Sequence, residues 1–127
     1  MDLILDTNAL SAIAEGEPGA TREFAQAAQV GIPVIVLGEY RFGIVQSRRR
    51  RDYEQWLGDM VSVSDVLAID EETATCYAEL RSHLKQAGTP IPCNDAWIAA
   101  LCRQHGLAIL SRDRHFDLIK GLRRLDW

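Results

Sequence analysis

The chain opens with Met1-Asp2-Leu3-Ile4-Leu5-Asp6-Thr7-Asn8, a short apolar run followed by three polar residues. The apolar run is typical of a strand that is buried on both faces, and the residues after Asn8 show helical spacing. Asp6 therefore falls at the carboxyl end of a predicted strand. Ligands gather at that edge of an open α/β sheet, so further acids in the same position would indicate a functional site.

The composition is that of one globular domain. The chain has 127 residues, of which 47% are hydrophobic and 25% are charged, and this is enough for a core of its own. We therefore expect a single domain over residues 1–127. No apolar run approaches the roughly 18 residues of a membrane helix, and the first residues do not resemble a secretory signal. We expect a cytoplasmic protein without a membrane segment.

Charge and cysteine content narrow the functional classes. A net charge of −4 does not favour binding of nucleic acid by bulk charge. The run Arg48-Arg49-Arg50-Arg51 is either a solvated helix face or a local contact for phosphates. Three cysteines without CxxC spacing predict neither a disulfide framework nor a zinc site.

The remainder of the chain alternates between strand-like and helix-like segments, which is typical of an α/β protein with a parallel sheet. Thr21 is the predicted cap of the second helix, in which Phe24, Ala25 and Ala28 would face inward. Further strands are predicted at residues 33–37, 66–69, 107–110 and 122–127.

Residues 40–60 form the longest helical pattern, which we expect to bend near residues 47–51 as a helical hairpin. Phe42 and Val45 would face the core. Asp70 has the position of a helix cap, and the helix that follows it should end at Gly88. Two more helices are expected, an apolar one over residues 96–104 and a short one over residues 116–119.

Four acids share one context. Glu39 and Asp113 each follow a predicted strand, as Asp6 does, and Asp95 opens a helix after the extended segment Thr89-Pro90-Ile91-Pro92. Right-handed β-α connections would place all four acids along one edge of a parallel sheet. The sequence therefore predicts a pocket of four carboxylates.

Four neighbouring carboxylates repel one another unless a cation compensates their charge. Mg²⁺ or Mn²⁺ prefers oxygen ligands and binds through a few carboxylates together with substrate phosphate. Such an ion generates a nucleophile from water and stabilises the leaving oxygen of a phosphodiester. Metal-dependent hydrolysis of nucleic acid is the chemistry that this pattern indicates.

Each of these residues also has an ordinary structural role. An Asp at the start of a helix is most often a cap, and a Glu there interacts with the helix dipole. The polar neighbours of the acids are either supports for the carboxylates or turn residues: Thr7, Asn8, Asn94 and Ser111. Asp117 is a surface residue or an extra ligand, and His115 is a surface residue or a proton donor.

The motifs that carry these acids resemble those of the PIN-domain ribonucleases. They are Ile4-Leu5-Asp6-Thr7-Asn8, Glu39 at the head of a helix, Asn94-Asp95 followed by Ile98-Ala99-Ala100, and Leu110-Ser111-Arg112-Asp113-Arg114-His115-Phe116. Together with the ending from Gly121-Leu122 to Trp127, they make the chain similar to the VapC toxins of bacterial type II toxin–antitoxin systems.

This resemblance implies a three-layer α/β/α PIN fold with a central, mostly parallel sheet. It also implies a Mg²⁺- or Mn²⁺-dependent endoribonuclease and a homodimer, with structured RNA such as tRNA or ribosomal RNA as substrate. By match of the motifs, Asp6, Glu39, Asp95 and Asp113 would bind the metal, and Thr7, Asn8 and Ser111 would support them. A cognate VapB-type antitoxin would cover the acidic pocket.

Three other classes of protein are alternatives to this interpretation. A haloacid-dehalogenase-type phosphatase needs a second Asp two residues after Asp6, where the chain has Asn8. A receiver domain needs an acidic pair at the first strand end and a lysine after a late strand, where the chain has Arg112. A non-catalytic module for binding protein or RNA remains the alternative, since a fold does not determine a function.

Overall fold

The structure is a computed structural model that describes residues 2–127, and its centre is a five-stranded parallel sheet. The strands are β1 (Leu3–Leu5), β2 (Val30–Pro33), β3 (Asp65–Leu67), β4 (Ala108–Leu110) and β5 (Arg124–Leu125). Their order in the sheet is β3-β2-β1-β4-β5. In the register, Leu3 lies opposite Val30 on one side and Ala108 on the other. The predicted first strand is thus the middle of the sheet.

Helices connect these strands and cover the sheet on both faces. They are α1 (Thr7–Ala14), α2 (Pro18–Gln26), α3 (Val34–Ile44), α4 (Arg50–Ser62), α5 (Glu71–Gln86) and α6 (Cys93–His105), with a 3-10 helix at Arg114–Leu118. This three-layer α/β/α arrangement confirms the predicted fold class. Within residues 2–127, no helix combines the length and the apolar character that crossing a bilayer requires.

The central strand shows why apolar runs predict this fold. Ile4 and Leu5 have no accessible surface and Leu3 has almost none, as is expected for a parallel strand with helices on both faces. Apolar residues of α6 also lose all or nearly all contact with solvent, among them Ile98 and Leu101. One continuous core therefore runs from the central sheet into α6.

Two helix ends follow the predicted capping chemistry. The Asp70 carboxylate accepts from the Thr73 N–H, and the Thr73 hydroxyl accepts from the Asp70 N–H, so each residue satisfies a free backbone group of the other. The Thr73 side chain also bonds to Gln104 on α6. Gly106 ends α6 with a φ of 66°, a left-handed conformation that glycine adopts without strain.

The second strand lies earlier in the chain than the sequence indicates. Strand β2 covers Val30–Pro33, whereas residues 34–37 of the predicted strand form the first turn of α3. Pro33 pairs with Leu67 of β3 and then serves as the N-cap of α3, where its missing N–H costs nothing. The prediction was wrong because Val34, Ile35 and Val36 are β-branched, and tertiary packing overrides that preference.

Other differences concern the boundaries and faces of elements. Helix α2 begins at Pro18 with Glu17 as its cap, and the Ala25 and Ala28 side chains are exposed. Phe42 was expected in the core, but 83% of its surface is exposed, and Val45 is also exposed. The predicted bend at residues 47–51 is confirmed by the gap between α3 and α4.

Candidate active site

The site is built where β1 and β4 end next to each other. The Asp6 N–H donates to the carbonyl of Leu110, the last residue of β4, at 3.2 Å. Asp6 then becomes the N-cap of α1, and its Oδ1 accepts from the Thr7 N–H at 2.8 Å. The residue after Leu110 is Ser111, so the pairing of the two strands brings Asp6 and Ser111 together.

The Asp6 carboxylate is buried, and both of its oxygens accept hydrogen bonds. Only 5% of its surface is exposed. Its Oδ2 accepts from the Ser111 hydroxyl at 2.6 Å and from the Asn8 side-chain amide at 3.4 Å. Burial raises the pKa of Asp6, the hydrogen bonds from Ser111 and Thr7 oppose that shift, and the nearby charges of Glu39 and Asp113 add to it. Ionised Asp6 therefore favours the approach of a cation.

Ser111 connects two of the acids. Its hydroxyl donates to Asp6 and accepts from the Asp113 N–H at 2.9 Å and from the Asn8 amide at 3.3 Å. The side chain is fully buried, and its bond to Asp6 lies in a medium of low dielectric constant. Asn8 returns to the same segment, since its Oδ1 accepts from the Arg112 N–H at 3.3 Å.

Glu39 reaches this edge from α3, one and a half turns after the end of β2. The Thr7 hydroxyl donates to Glu39 Oε1 at 3.1 Å, and the charge of Glu39 acts on the pKa of Asp6. The expected position was the strand-to-helix junction, whereas the residue lies within the helix. Its side chain nevertheless arrives beside Asp6, because α3 starts at the carboxyl end of β2.

Asp95 lies in the first turn of α6 and faces Asp113 across His115. The His115 Nδ1 is 3.1 Å from Asp95 Oδ2 and 3.0 Å from Asp113 Oδ1. One ligand atom from each of the three residues lies within 4.8 Å of the other two. The backbone N–H of His115 also donates to Asp113 Oδ1 at 2.9 Å. These three residues therefore form a second, more open part of the site.

Electrostatics in this open part are dominated by the two carboxylates. Burial raises the pKa of Asp95, its hydrogen bond to His115 opposes the shift, and the charges of Asp113 and Asp6 add to it. The hydrogen bond to Asp95 is also the main cause that raises the pKa of His115 above its ordinary value. The His115 imidazole therefore lies between two carboxylates, and when it is protonated it places a positive charge there.

The structure thus brings the four predicted acids to one edge of the sheet, with Thr7, Asn8 and Ser111 against them. Asn94 is exposed on the first turn of α6. Asp117 does not face the acids through its carboxylate, which accepts two hydrogen bonds from Arg124. Sequence reasoning assigned His115 a minor role and missed its bridge between Asp95 and Asp113. Its position two residues after Asp113 was the available signal.

Comparison with known proteins assigns this arrangement to a family. The PIN-domain family model matches residues 3–122. The chain is 30% identical to the tRNA(fMet)-specific endonuclease VapC of Shigella flexneri, over 100% of this chain and 98% of that protein. It is 32% identical to ribonuclease VapC5 of Mycobacterium tuberculosis, over 73% and 70% of the two chains.

A solved structure agrees with these sequence matches. The DNA-bound VapBC of Salmonella typhimurium superposes with a TM-score of 0.88 at 27% identity, covering 100% of this chain and 98% of that one. The chain therefore belongs to the PIN-domain family, and the relatives that it resembles within that family are VapC ribonucleases.

Proposed function

We propose that the chain is a divalent-metal-dependent endoribonuclease that acts as the toxin of a toxin–antitoxin pair. The observation that carries this proposal is the buried Asp6 carboxylate, which lies at one sheet edge with three further acids. Ribonuclease relatives in the same family support the substrate class. RNA is present in the cytoplasm, and we expect the protein to act there.

The donor set fits Mg²⁺ or Mn²⁺. The proposed ligands are carboxylates, the oxygen donors that these hard ions prefer: Asp6, Glu39, Asp95 and Asp113. Among the side chains around these acids, the His115 imidazole is the group that can carry a positive charge. Burial raises the pKa values of Asp6 and Asp95, because an ionised carboxylate is costly at a buried position. When bound, such an ion activates water for attack and stabilises charge on the phosphodiester oxygens.

The protein supplies orientation for this chemistry. Ser111, Asn8 and the Thr7 N–H donate to the two oxygens of Asp6 and so fix the orientation of this carboxylate. The Thr7 hydroxyl holds one Glu39 oxygen in the same way. Fixed carboxylates of this kind position a metal and a substrate before the reaction begins, which lowers the cost of reaching the transition state.

Exposed arginines are the proposed contacts for RNA phosphates. The four arginines 48–51 span the turn before α4 and its first two residues, and all are exposed. Arg50 is 3.7 Å from Glu54, and Arg49 lies over the Tyr53 ring, so part of this run also packs on its own helix. Neutralising all four should weaken binding of RNA or antitoxin and flatten its salt dependence. Unchanged binding would show that the run is only a solvated helix face.

We further propose a VapB-type antitoxin as partner and a homodimer as the assembly. The Salmonella relative is itself a toxin–antitoxin complex bound to DNA. The α3 helix offers a surface for protein contact, because Val34, Phe42 and Val45 expose large apolar side chains. Large apolar patches on a protein surface commonly mark an interaction site.

The test uses purified protein, free of any partner, with total cellular RNA in the presence of Mg²⁺, Mn²⁺ or a chelator. We expect cleavage with either ion and none with chelator or with Asp6→Asn. Asp59→Asn, an exposed acid on α4, is the matched control and should cleave as the unchanged protein does. Cleavage that persists in chelator or in Asp6→Asn would refute the site assignment.

Calorimetry separates the nuclease from a non-catalytic binding module. A nuclease site should bind Mn²⁺, and Asp6→Asn should remove that binding while Asp59→Asn retains it. Absence of Mn²⁺ binding, together with normal growth of cells that express the chain, would favour the binding module.

A further inference from the structure

The segment 111–117, which we call the acid loop, carries the proposed ligand Asp113. It also carries Ser111 and His115, which both contact Asp113. It begins directly after β4 and passes through the 3-10 helix that starts at Arg114. Inside the loop, Asp113 N–H donates to the Ser111 hydroxyl and His115 N–H donates to the Asp113 carboxylate. These two bonds join neighbours within the loop. The start of the loop is also held by Asp6 and Asn8, and the Phe116 side chain is buried in the core.

Arg124 on β5 contacts the acid loop at both of its ends. Its Nη1 donates to the Ser111 carbonyl at 2.9 Å. Its Nε and Nη2 donate to the two oxygens of Asp117 at 2.8 and 3.1 Å, the bidentate geometry that makes Arg–carboxylate pairs both strong and directional. One guanidinium therefore spans the loop from its first residue to its last.

The setting of Arg124 is itself well defined. Strand β5 pairs with β4 in parallel, and Ile109 lies opposite Arg124. The Arg124 side chain is only 12% exposed, although most other arginines of the chain lie in solvent. Asp126 Oδ2 accepts a further bond from Nη1 at 2.9 Å. The hydrogen bonds from Arg124 are the main cause that lowers the pKa of both Asp117 and Asp126.

From these contacts we infer that Arg124 is a positioning residue of the proposed nuclease site, which holds the acid loop so that Asp113 stays beside Asp95 and His115. This inference rests on the proposed function. Arg124 contributes no ligand atom to the acidic pocket, and within residues 2–127 its side-chain hydrogen bonds go to Ser111, Asp117 and Asp126 and to none of the four proposed metal ligands. It acts through Ser111 and Asp117, and a shift of either end would displace Asp113.

The experiment compares three variants at neighbouring positions: Arg124→Met, Arg124→Lys and Arg123→Met. Arg123 is exposed on the same segment and loses the same charge, so it is the matched control. Each variant is assayed for kcat and KM on one RNA oligonucleotide with Mn²⁺, and kcat is expressed per folded molecule. Residues that support metal ligands typically change activity or metal affinity by about 10–100-fold when mutated, so we expect a loss of that order in kcat for Arg124→Met.

Arg124→Lys keeps the charge and loses the planar fork that binds Asp117 with two bonds. It should recover part of the lost kcat and remain below the unchanged protein. Arg123→Met should match the unchanged protein in kcat, and neither substitution at Arg124 should raise KM in proportion to the loss of kcat. A general loss of charge would instead act equally at Arg123 and Arg124 and would appear in KM.

Two readouts do not depend on RNA cleavage. Hydrogen exchange at the amides of Asp113 and His115 should accelerate by about tenfold or more in Arg124→Met, because local opening of the loop becomes easier. Affinity for Mn²⁺, measured by calorimetry, should fall in the same variant and stay unchanged in Arg123→Met. If the unchanged protein fails to cleave RNA, the proposed function fails, and these two measurements still decide whether Arg124 holds the loop.

Asp117→Asn tests the route of the effect. If Arg124 acts through Asp117, the double variant Arg124→Met/Asp117→Asn should have nearly the kcat of Arg124→Met alone. Fully additive losses would show that the two residues act separately and would overturn this route. Equal kcat and equal exchange rates in Arg124→Met and Arg123→Met would overturn the inference as a whole.

Discussion

The two parts of the acidic edge differ in how their negative charge is balanced. At Asp6, the carboxylate is buried and receives hydrogen bonds from Ser111, Asn8 and the Thr7 backbone. At Asp95 and Asp113, the balancing group is the His115 imidazole, whose side chain is 47% exposed. The first part is held by neutral donors, and the second by a group that can gain or lose a proton.

This difference assigns separate tasks to the two parts. The neutral donors to Asp6 do not change their charge with pH as His115 does, so we expect this part to define where a metal sits. The exposed His115 can move away or lose its proton, so the second part is suited to exchange one cation for another. Substitutions in the two parts should therefore differ in size and in pH dependence.

The largest effect is expected for Asp6→Asn. RNA cleavage should fall by at least about a hundredfold, which corresponds to about 2.7 kcal/mol of transition-state stabilisation. Because burial raises the pKa of Asp6, removal of its charge should leave the melting temperature of the metal-free protein unchanged or higher. Single-turnover cleavage and calorimetric melting measure the two quantities. A variant that loses both activity and stability would contradict this separation, and Asp59→Asn is its control.

Ser111→Ala should have the next largest effect. It removes the donor to Asp6 and leaves the Asp113 N–H without its acceptor. A buried polar group that loses its partner costs about 1–3 kcal/mol, and this loss should appear in urea unfolding. The pKa of Asp6 should rise further, because the Ser111 hydrogen bond lowers it.

Ser62→Ala provides the comparison for that experiment, since the Ser62 hydroxyl bonds a backbone carbonyl in solvent. Its free energy of unfolding should remain within about 0.5 kcal/mol of the unchanged protein. Equal destabilisation by the two alanines would mean that Ser111 has no special part in the site.

Stability should depend on pH in the direction that the raised pKa values set. Asp6 and Asp95 contribute stability that is complete below their ordinary pKa near 3.8 and is lost as pH rises through their higher folded values. His115 likewise contributes below 6.5 and loses its contribution as pH rises through its raised pKa. The metal-free site is therefore least stable at alkaline pH.

A divalent ion should reverse that loss. At a concentration tenfold above its dissociation constant, Mg²⁺ or Mn²⁺ stabilises the folded protein by about 1.4 kcal/mol. At one fixed ion concentration, the rise in melting temperature should be larger at about pH 8 than at about pH 5, because protons compete for the carboxylates at lower pH and weaken binding. A rise that is the same at both pH values would count against carboxylate ligands.

The smallest effect is expected for His115→Gln. Exposed ion pairs contribute little, so at about pH 6 the affinity for Mn²⁺ should increase only a few-fold as the competing imidazolium is removed. At about pH 8 the variant and the unchanged protein should bind the ion alike, since less imidazolium competes there. Calorimetric titration at the two pH values measures this. Weaker binding in the variant would identify the imidazole as a ligand of the ion.

The sequence predicts most of the fold because strands and helices alternate with clear apolar periods. It predicts the edge of the sheet where Asp6 and Asp113 lie, since both follow apolar runs that are buried in the structure. The error at residues 33–37 arose because periodicity alone does not distinguish a short apolar run in a strand from one in a helix, and the β-branched residues favoured the strand. Glu39 was still placed at the correct edge of the sheet, because it follows the carboxyl end of the second strand both in the prediction and in the structure.

Other features of the site depend on contacts between distant segments. Arg124 meets Ser111 and Asp117 only because β5 pairs with β4, and no spacing in the sequence marks that pair. Phe42 fits the inward face of a helix by its period, yet it is exposed, since local period does not show which helix face lies against the sheet. The contact of His115 with Asp95 could not be predicted without the position of α6, on which Asp95 lies.

The pairing of β1 with β4 has a consequence for synthesis of the chain. Leu3 lies opposite Ala108 in the sheet, so β1 receives its second neighbour only after synthesis has reached Ala108. Long-range parallel pairing of this kind is slow to form, and domains complete such contacts after their last strand emerges. A translation product that stops before Ala108 would contain Asp6, Glu39 and Asp95 but would lack Asp113 and the strand that pairs with β1, so we expect it to have no complete acidic edge.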